Sequence, residues 1–319
     1  MTENIGDRIV YARDLEEHFD TRGKHARAVA KGREQRIARG AYMARDAWEA
    51  LDARNQYLAR IYAVGETRRA RPVLSHWSAA AIHDLPIVGA WPKLVHVAVP
   101  PATGGRSRNG VVKHALRLGD CDVVEIDGIL VTSLPRTIVD IASSASPFSA
   151  IAMIDRALHI DRHGKHPPLL QRFELLAMRE SMLPFRGHMR SLDLIQFAET
   201  AAGSPLESAS RYSMRTIGCP RPRLQMSFYD DEGFIGDTDF DWPDFRHIGE
   251  ADGKQKYFEP EYMAGRTPKQ VLLAEKNRED RLRAVSLGFT RWDWATATNP
   301  RALRQLLSRA GLPMGVPWV

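Results

Sequence analysis

Apolar and polar positions along the chain change period several times, and each change predicts an element. Leu15 and Phe19, spaced i, i+4, predict a short amphipathic helix over 10–19. Thr21-Arg22-Gly23 predicts a turn that caps a second helix, His25 to Lys31, which Gly32 stops. Gln35–Ala38 and Ala41–Met43, joined at Arg39-Gly40, predict a β-hairpin, and Leu51, Tyr57, Leu58, Ile61 and Tyr62 line the apolar side of a helix over Trp48–Val64. An α+β pattern follows. A short helix, Ser75–Ile82, precedes a strand over Lys93–Val99 whose Val95, Val97 and Val99 share one face. Strands near 111–116, 122–126 and 129–132 come next, with Asp127-Gly128 as a hairpin turn. Ser133-Leu134-Pro135 opens a helix through Ala142, since proline is tolerated in a first helical turn.

Leu169–Met182 and Arg186–Ala202 predict two more helices, the second with Leu194, Phe197 and Ala201 as its apolar stripe. Gly203-Ser204-Pro205 opens a further segment and caps a helix that presents Glu207. The period then switches to two. Asp239-Phe240-Asp241-Trp242 alternates as a half-buried strand, Pro243-Asp244 turns, and Phe245–Ala251 predicts a second strand closed by Asp252-Gly253. A helix over Pro268–Leu287 places Leu272, Leu273 and Leu282 on its core side. Trp292 and Trp294 alternate on a strand, and Pro300–Arg309 is a terminal amphipathic helix.

Composition sharpens this picture in a few respects. A chain of 319 residues accommodates two or three cores, and 44% hydrophobic with 26% charged residues is the balance of an ordinary globular protein. The net charge of +6 favours an anionic partner, nucleic acid first. Cys121 and Cys219 are far apart and in no C-x-x-C pair, which argues against a disulfide scaffold or a cysteine zinc site and suits a reducing cytoplasm. The N-terminus lacks an apolar core of signal-peptide length. No stretch approaches about 18 uninterrupted apolar residues, so no membrane span is expected.

The positive charge is concentrated. Arg22, Lys24, Arg27, Lys31, Arg33, Arg36 and Arg39 meet only Glu34 across the second helix and the hairpin. Helix, turn, helix, hairpin is the order of a winged helix-turn-helix. Such charge density attracts phosphate through counterion release, and a helix of this size fits the major groove. These seven residues are the DNA-binding candidates; the plain alternative is a basic solvated helix.

The alternating stretch carries the other chemistry. Side chains alternate across a strand, so Glu250 and Asp252 point to one face, Lys254 joins them if the extension continues, and Asp239 faces the same pocket from the neighbouring strand. Converging carboxylates suit Mg²⁺, and a lysine beside them stabilises charge on a phosphate. Asp239 and Glu250 are the metal-ligand candidates. The plain alternative is that Asp252-Gly253 is a turn and the carboxylates a solvated sheet edge. His76, Ser78, Asp84, Arg136 and Asp140 have the residue types of a hydrolase triad but no nucleophile elbow. Arg136 and Asp140 are expected to form a helical i, i+4 ion pair instead.

Two resemblances add to this. Asp239 with Glu250-x-Asp252-Gly253-Lys254 resembles the PD-(D/E)xK nucleases, in the variant of the very-short-patch-repair endonucleases. Ser204-Pro205-Leu206-Glu207, Gln225, Glu275-x-x-Arg278 and Arg291-Trp292-x-Trp294 extend the likeness over about 115 residues. It implies catalytic roles for Asp239, Glu250, Asp252 and Lys254, and adds Glu207 as a first-helix acid whose other reading is an N-terminal-turn carboxylate paired with Arg211. The register stays open: with Glu250 as second acid, Asp252 falls at the lysine position, whereas with Asp252 the spacing to Lys254 fits. Arg36-Ile37-Ala38-Arg39-Gly40-Ala41-Tyr42, Val73-Leu74-Ser75-His76 and Ile129 to Asp140 resemble AbiEi-type antitoxins, transcriptional regulators of toxin–antitoxin operons.

The expected architecture is therefore α+β and multidomain. It comprises a winged helix-turn-helix over 1–65, a central AbiEi-like α+β domain over 66–160, a helical linker over 161–202 and a restriction-endonuclease-like α/β domain over 203–319. The resemblance implies a DNA-binding regulator or antitoxin in a phage-defence setting, with DNA and a cognate toxin as partners. The alternatives are an Mg²⁺-dependent endonuclease targeted by the winged helix, and a silent module that neutralises a toxin.

Overall fold

A computed structural model describes residues 5–15, 21–68, 70–103, 110–161, 164, 167–253 and 267–318. The chain is a mixed α/β protein, with three separate sheets among the described residues. Its contacts divide it into two compact units, Met1–Ala145 with Phe173–Leu192, and Ser146–Arg172 with Asp193–Val319. Among the described residues no helix is long and apolar enough to cross a membrane.

The first unit opens on a 3₁₀ turn (Ile5–Arg8). Where a helix was expected over 10–19 stand strand β1 (Val10–Tyr11) and a second 3₁₀ turn (Ala12–Leu15), and residues 16–19 of that expectation lie outside the described residues. A period of two wins there because pairing with residues 41 and 42 turns Tyr11 into a core of Ile9, Ile37, Ala41, Met43 and Trp48 and leaves Val10 outside. Helix α1 (Thr21–Ala30) starts four residues before its expected first turn. The hairpin β2 (Glu34–Ala38) and β3 (Ala41–Ala44) turns at Gly40, whose φ of +75° suits glycine, and the sheet order is β1-β3-β2. The long helix expected next is two, α2 (Arg45–Glu49) and α3 (Ala53–Glu66), because Asp52 caps the second by accepting from the Asn55 N–H at 2.7 Å.

Helix α3 serves two cores. Ala59 and Ala63 face the small sheet, while Tyr57, Leu58, Ile61 and Val64 join a second cluster with Leu74, Val95, Val97 and Val131. That second core lies on a mixed sheet built from β4 (Val73–Leu74), β5 (Val95–Val99), β6 (Val111–Ala115), β7 (Val123–Ile126) and β8 (Ile129–Thr132), with α4 (His76–Ile82) packed on it and α5 (Leu134–Ser144) against α4. The sheet order is β6-β5-β4-β8-β7. Ser78 is a packing residue: its hydroxyl pairs with Tyr57 Oη at 2.7 Å and accepts from the His96 N–H at 2.8 Å. Arg136 and Asp140 form the expected i, i+4 pair at 3.2 Å, and Arg136 also reaches Asp122 at 2.8 Å.

Three histidines meet at one end of this sheet. The rings of His76 and His114 stack with centroids 3.6 Å apart, and His96 Nδ1 lies 2.9 Å from His114 Nε2, so one ring donates to the other. That bond needs the accepting ring to be neutral, so it is lost once both rings are protonated. Burial holds His76 well below the ordinary imidazole range, brings His96 down to about 4 and lowers His114, and Arg136 opposes a proton on His76 as well. A base whose folded pKa is depressed binds fewer protons when folded, so its contribution is present above the unfolded value and lost as pH falls. Asp140 works the other way: burial raises its carboxyl to about 6 despite Arg136. The expected result is a fall in melting temperature from about pH 7 to about pH 5 that is smaller in His114→Gln than in wild type. Equal falls in the two proteins would remove the stack as the cause.

In the second unit, α6 (Pro147–Leu158) packs on the helix over Pro205–Ile217. Helix α7 (Arg172–Ser181) belongs to the first unit but for Arg172, and α8 (His188–Phe197) passes from the first unit to the second after Leu192. Thereafter the order is α9 (Pro205–Ile217), β9 (Arg223–Asp230), β10 (Gly233–Trp242), β11 (His247–Ala251), α10 (Pro268–Val285), β12 (Gly288–Trp292), α11 (Trp294–Ala297) and α12 (Pro300–Arg309). Strands β9, β10 and β11 form an antiparallel meander, and β12 returns parallel beside β11 after α10. Phe240, Trp242 and Trp292 pack with Leu206 and Met214 of α9 and Leu303 and Leu307 of α12. The opposite face buries Ile235, Ile248 and Phe289 with Leu282 of α10. Gly249 permits the first core, because a Cβ there would stand 2.6 Å from the Trp292 ring. Two expectations are corrected. Trp294 begins α11 rather than extending the strand, as Asp293 accepts from the Thr296 N–H and caps it. Leu273 is exposed, so Leu282 anchors α10, and the Leu272 side chain lies outside the described residues.

Candidate nucleic-acid interface and carboxylate cluster

Helix α1 and the β2–β3 hairpin gather the basic residues into two neighbouring cavities. One, of about 520 Å³, is lined by Lys24, Arg27, Lys31, Arg33, Glu34 and Tyr42 among others. The other, of about 720 Å³, is lined by Arg13, Arg36, Arg39, Tyr42, Glu66 and Arg68 among others. His25 fixes the arrangement. It is buried, donates from Nδ1 to Glu34 Oε2 at 2.7 Å and stacks on Tyr42 with centroids 4.5 Å apart, tying α1 to both strands of the hairpin. Six of the seven sequence candidates thus line the two cavities; the Arg22 side chain lies outside the described residues. Sequence reasoning missed Arg13 and Arg68. They stand after β1 and after α3, so only the packing of those elements against the hairpin brings them in.

The acidic candidates converge in part. Phe240 pairs with Gly249 across β10 and β11, so the next pair along that antiparallel ladder sets Asp239 opposite Glu250. On the other side, Thr238 pairs with Met226 and Phe240 with Leu224, which sets Gln225 opposite Asp239. The Gln225 amide donates to Glu207 Oε2 at 2.9 Å and to Asp239 Oδ1 at 3.2 Å. Glu207 also accepts from the Gly203 N–H at 3.0 Å, and Asp239 Oδ2 from the Ala251 N–H at 2.8 Å. Gln225 takes φ of +52° within its strand, a strained conformation of the kind that clusters at functional sites. Glu207 does not pair with Arg211, which turns instead to Asp155 at 2.8 Å.

Glu250 belongs to a different set of bonds. Its Oε1 accepts from Arg278 Nη2 at 2.5 Å and its Oε2 from Arg291 Nη2 at 2.6 Å. Burial raises its carboxyl above the ordinary range, the two arginines pull it back, and the Asp239 charge raises it further. Arg291 also meets Glu275 at 2.8 Å, Glu279 at 3.5 Å and Asp252 at 3.7 Å. Strand β11 ends at Ala251, and the Asp252 N–H donates to the Trp292 carbonyl at 2.8 Å. Lys254 lies outside the described residues. Arg278 and Arg291 entered the sequence reading only through the nuclease likeness; the register that sets Arg291 beside Glu250 appears once β12 pairs with β11.

A hard divalent cation requires several carboxylate or carbonyl oxygens turned to one point. Both Glu250 oxygens face guanidinium groups, and the Gln225 amide lies between Glu207 and Asp239. Among the described residues no three His, Cys, Asp or Glu side chains form such a set. As arranged, these side chains do not fit Mg²⁺.

No family model matches the chain. Two curated relatives, uncharacterized protein MT2308 of Mycobacterium tuberculosis strain CDC 1551 / Oshkosh and uncharacterized protein Rv2248 of strain ATCC 25618 / H37Rv, are each 29% identical to it over 138 residues. That is 43% of this chain and 48% of theirs, so the chain spans about half the length of the curated relatives it matches.

Proposed function

We propose that this chain binds DNA through its first unit, as a regulator or antitoxin of the AbiEi kind. The observation that carries the reading is the pair of basic cavities flanking Tyr42, built by α1 and the β2–β3 hairpin. In this reading the segment is a winged helix-turn-helix in which β1 and a 3₁₀ turn stand where the first helix was expected, α1 enters the major groove, and the hairpin with Arg36 and Arg39 is the wing that follows the backbone. The order α9-β9-β10-β11-α10-β12 supports a restriction-endonuclease-like second unit, serving as a further platform for DNA or a protein partner. A cognate toxin is the expected protein partner, by the resemblance of residues 1–160, and co-purification from its own cells tests it.

Metal-dependent cleavage is the competing reading, favoured by the approach of Glu207 and Asp239 to a shared Gln225. Incubation of supercoiled and linear DNA with Mg²⁺ or Mn²⁺ decides between them. Binding without cleavage in either metal is the expected result. Nicking that Glu250→Ala abolishes would make the chain a nuclease with a targeting domain.

A further inference from the structure

The carboxylate cluster of the second unit already holds cations, and they belong to the chain itself. Arg291 on β12 is in register with Glu250 on β11. Its guanidinium reaches Glu250, Glu275, Glu279 and Asp252, from a strand, the turn after it and helix α10. Arg278 arrives from α10 over β10 at Gly236, where a Cβ would stand 2.8 Å from its Nε. That open position lets Arg278 reach Glu250 Oε1 and, at 3.0 Å, the Asp237 carbonyl. Glu250 is only 7% exposed and gives one oxygen to each guanidinium, the arrangement in which charge-assisted bonds are strongest.

A divalent ion could claim Glu250 only by expelling an arginine into a half-buried, carboxylate-lined space. Guanidinium does not deprotonate to ease that move. Helix α10 has a further stake in these bonds. Its mostly polar sequence buries Leu282 and Val271 against the rest of the unit, so Arg278–Glu250 and Glu275–Arg291 are cross-links between crossover helix and sheet. We propose that Arg278 and Arg291 are the resident cations of this cluster, holding the α10 crossover to the sheet in the place a divalent metal would take, so that the second unit takes no metal on Glu250. The proposal concerns metal handling alone and holds whatever the first unit binds.

Thermal unfolding of the full chain at constant ionic strength, with and without MnCl₂, tests it in wild type, Glu250→Gln, Arg291→Ala and the double variant Arg291→Ala/Glu250→Gln. Wild type and Glu250→Gln are expected to show the same response to Mn²⁺. Arg291→Ala is expected to melt several degrees lower and to regain part of that loss with Mn²⁺, a gain absent from the double variant. A Mn²⁺ stabilisation of wild type that Glu250→Gln removes would overturn the proposal. So would an Arg291→Ala protein that folds and shows no gain depending on Glu250. Should Arg291→Ala not fold, the comparison of wild type with Glu250→Gln decides alone.

Discussion

Replacing Arg27 and Lys31 together by alanine weakens binding to duplex DNA about ten- to a hundred-fold and lowers the slope of log affinity against log salt by about 2. Each cation that neutralises a phosphate releases condensed counterions, and two lost contacts remove about 0.9 each from the slope. Both side chains line the cavity under α1, and both are exposed, so their loss changes folding by no more than about 0.5 kcal/mol. Fluorescence anisotropy across a salt series reads both quantities. Unchanged affinity and slope would remove α1 from the interface. A fall in affinity with an unchanged slope would instead point to damaged packing of α1 on the hairpin, which circular dichroism of the variant separates.

Asp155→Ala destabilises the second unit by about 3–5 kcal/mol, which lowers its melting temperature by roughly 6–20 °C. Asp155 and Arg211 are paired at 2.8 Å with side chains 1% and 2% exposed. Asp155 also accepts from Ser208 Oγ at 2.7 Å and the Glu199 N–H at 2.8 Å, and Arg211 donates to the Phe197 carbonyl at 2.8 Å. The pair therefore joins α6, α8 and α9. Burial raises the Asp155 carboxyl and lowers the Arg211 guanidinium, with each group's charge offsetting the other's cost. Removing the aspartate leaves a buried cation without its counter-charge, the costly half of a buried pair. Replacing both residues by leucine restores only part of the loss, because it removes the uncompensated cation but leaves the Glu199 N–H and the Phe197 carbonyl without these partners. Thermal denaturation of the single and double variants measures this. A single variant that melts within about a degree of wild type would show that the pair is open to water.

The elements most legible in the sequence were those whose signal is local. The β2–β3 hairpin, α4, α5 and α12 fall close to where turn chemistry and periodicity put them. The misread ones each met a competing demand. Val10–Tyr11 carries helix-compatible spacing but pairs with β3, and the single helix expected over 48–64 divides at the Asp52 cap. Apart from these, the contacts group segment 146–172 with the second unit, where α6 buries its apolar surface against α9.

The candidate sites divide the same way. Basic residues close together in sequence line cavities close together in space, because one helix and one tight hairpin separate them. The acidic stretch was read correctly as two paired strands, which follows from alternation and from Pro243. Alternation offered Asp239 and Glu250 a common face, which the register of β10 with β11 then set. It did not determine what meets them there. Gln225 comes from the strand before, Arg278 from a helix 28 residues further on and Arg291 from a strand 41 residues on. Local sequence determines period, caps and turns through forces acting over a few residues. Which guanidinium satisfies a buried carboxylate is decided by strand register and helix crossover, and these exist only once the cores on both faces of the sheet have formed.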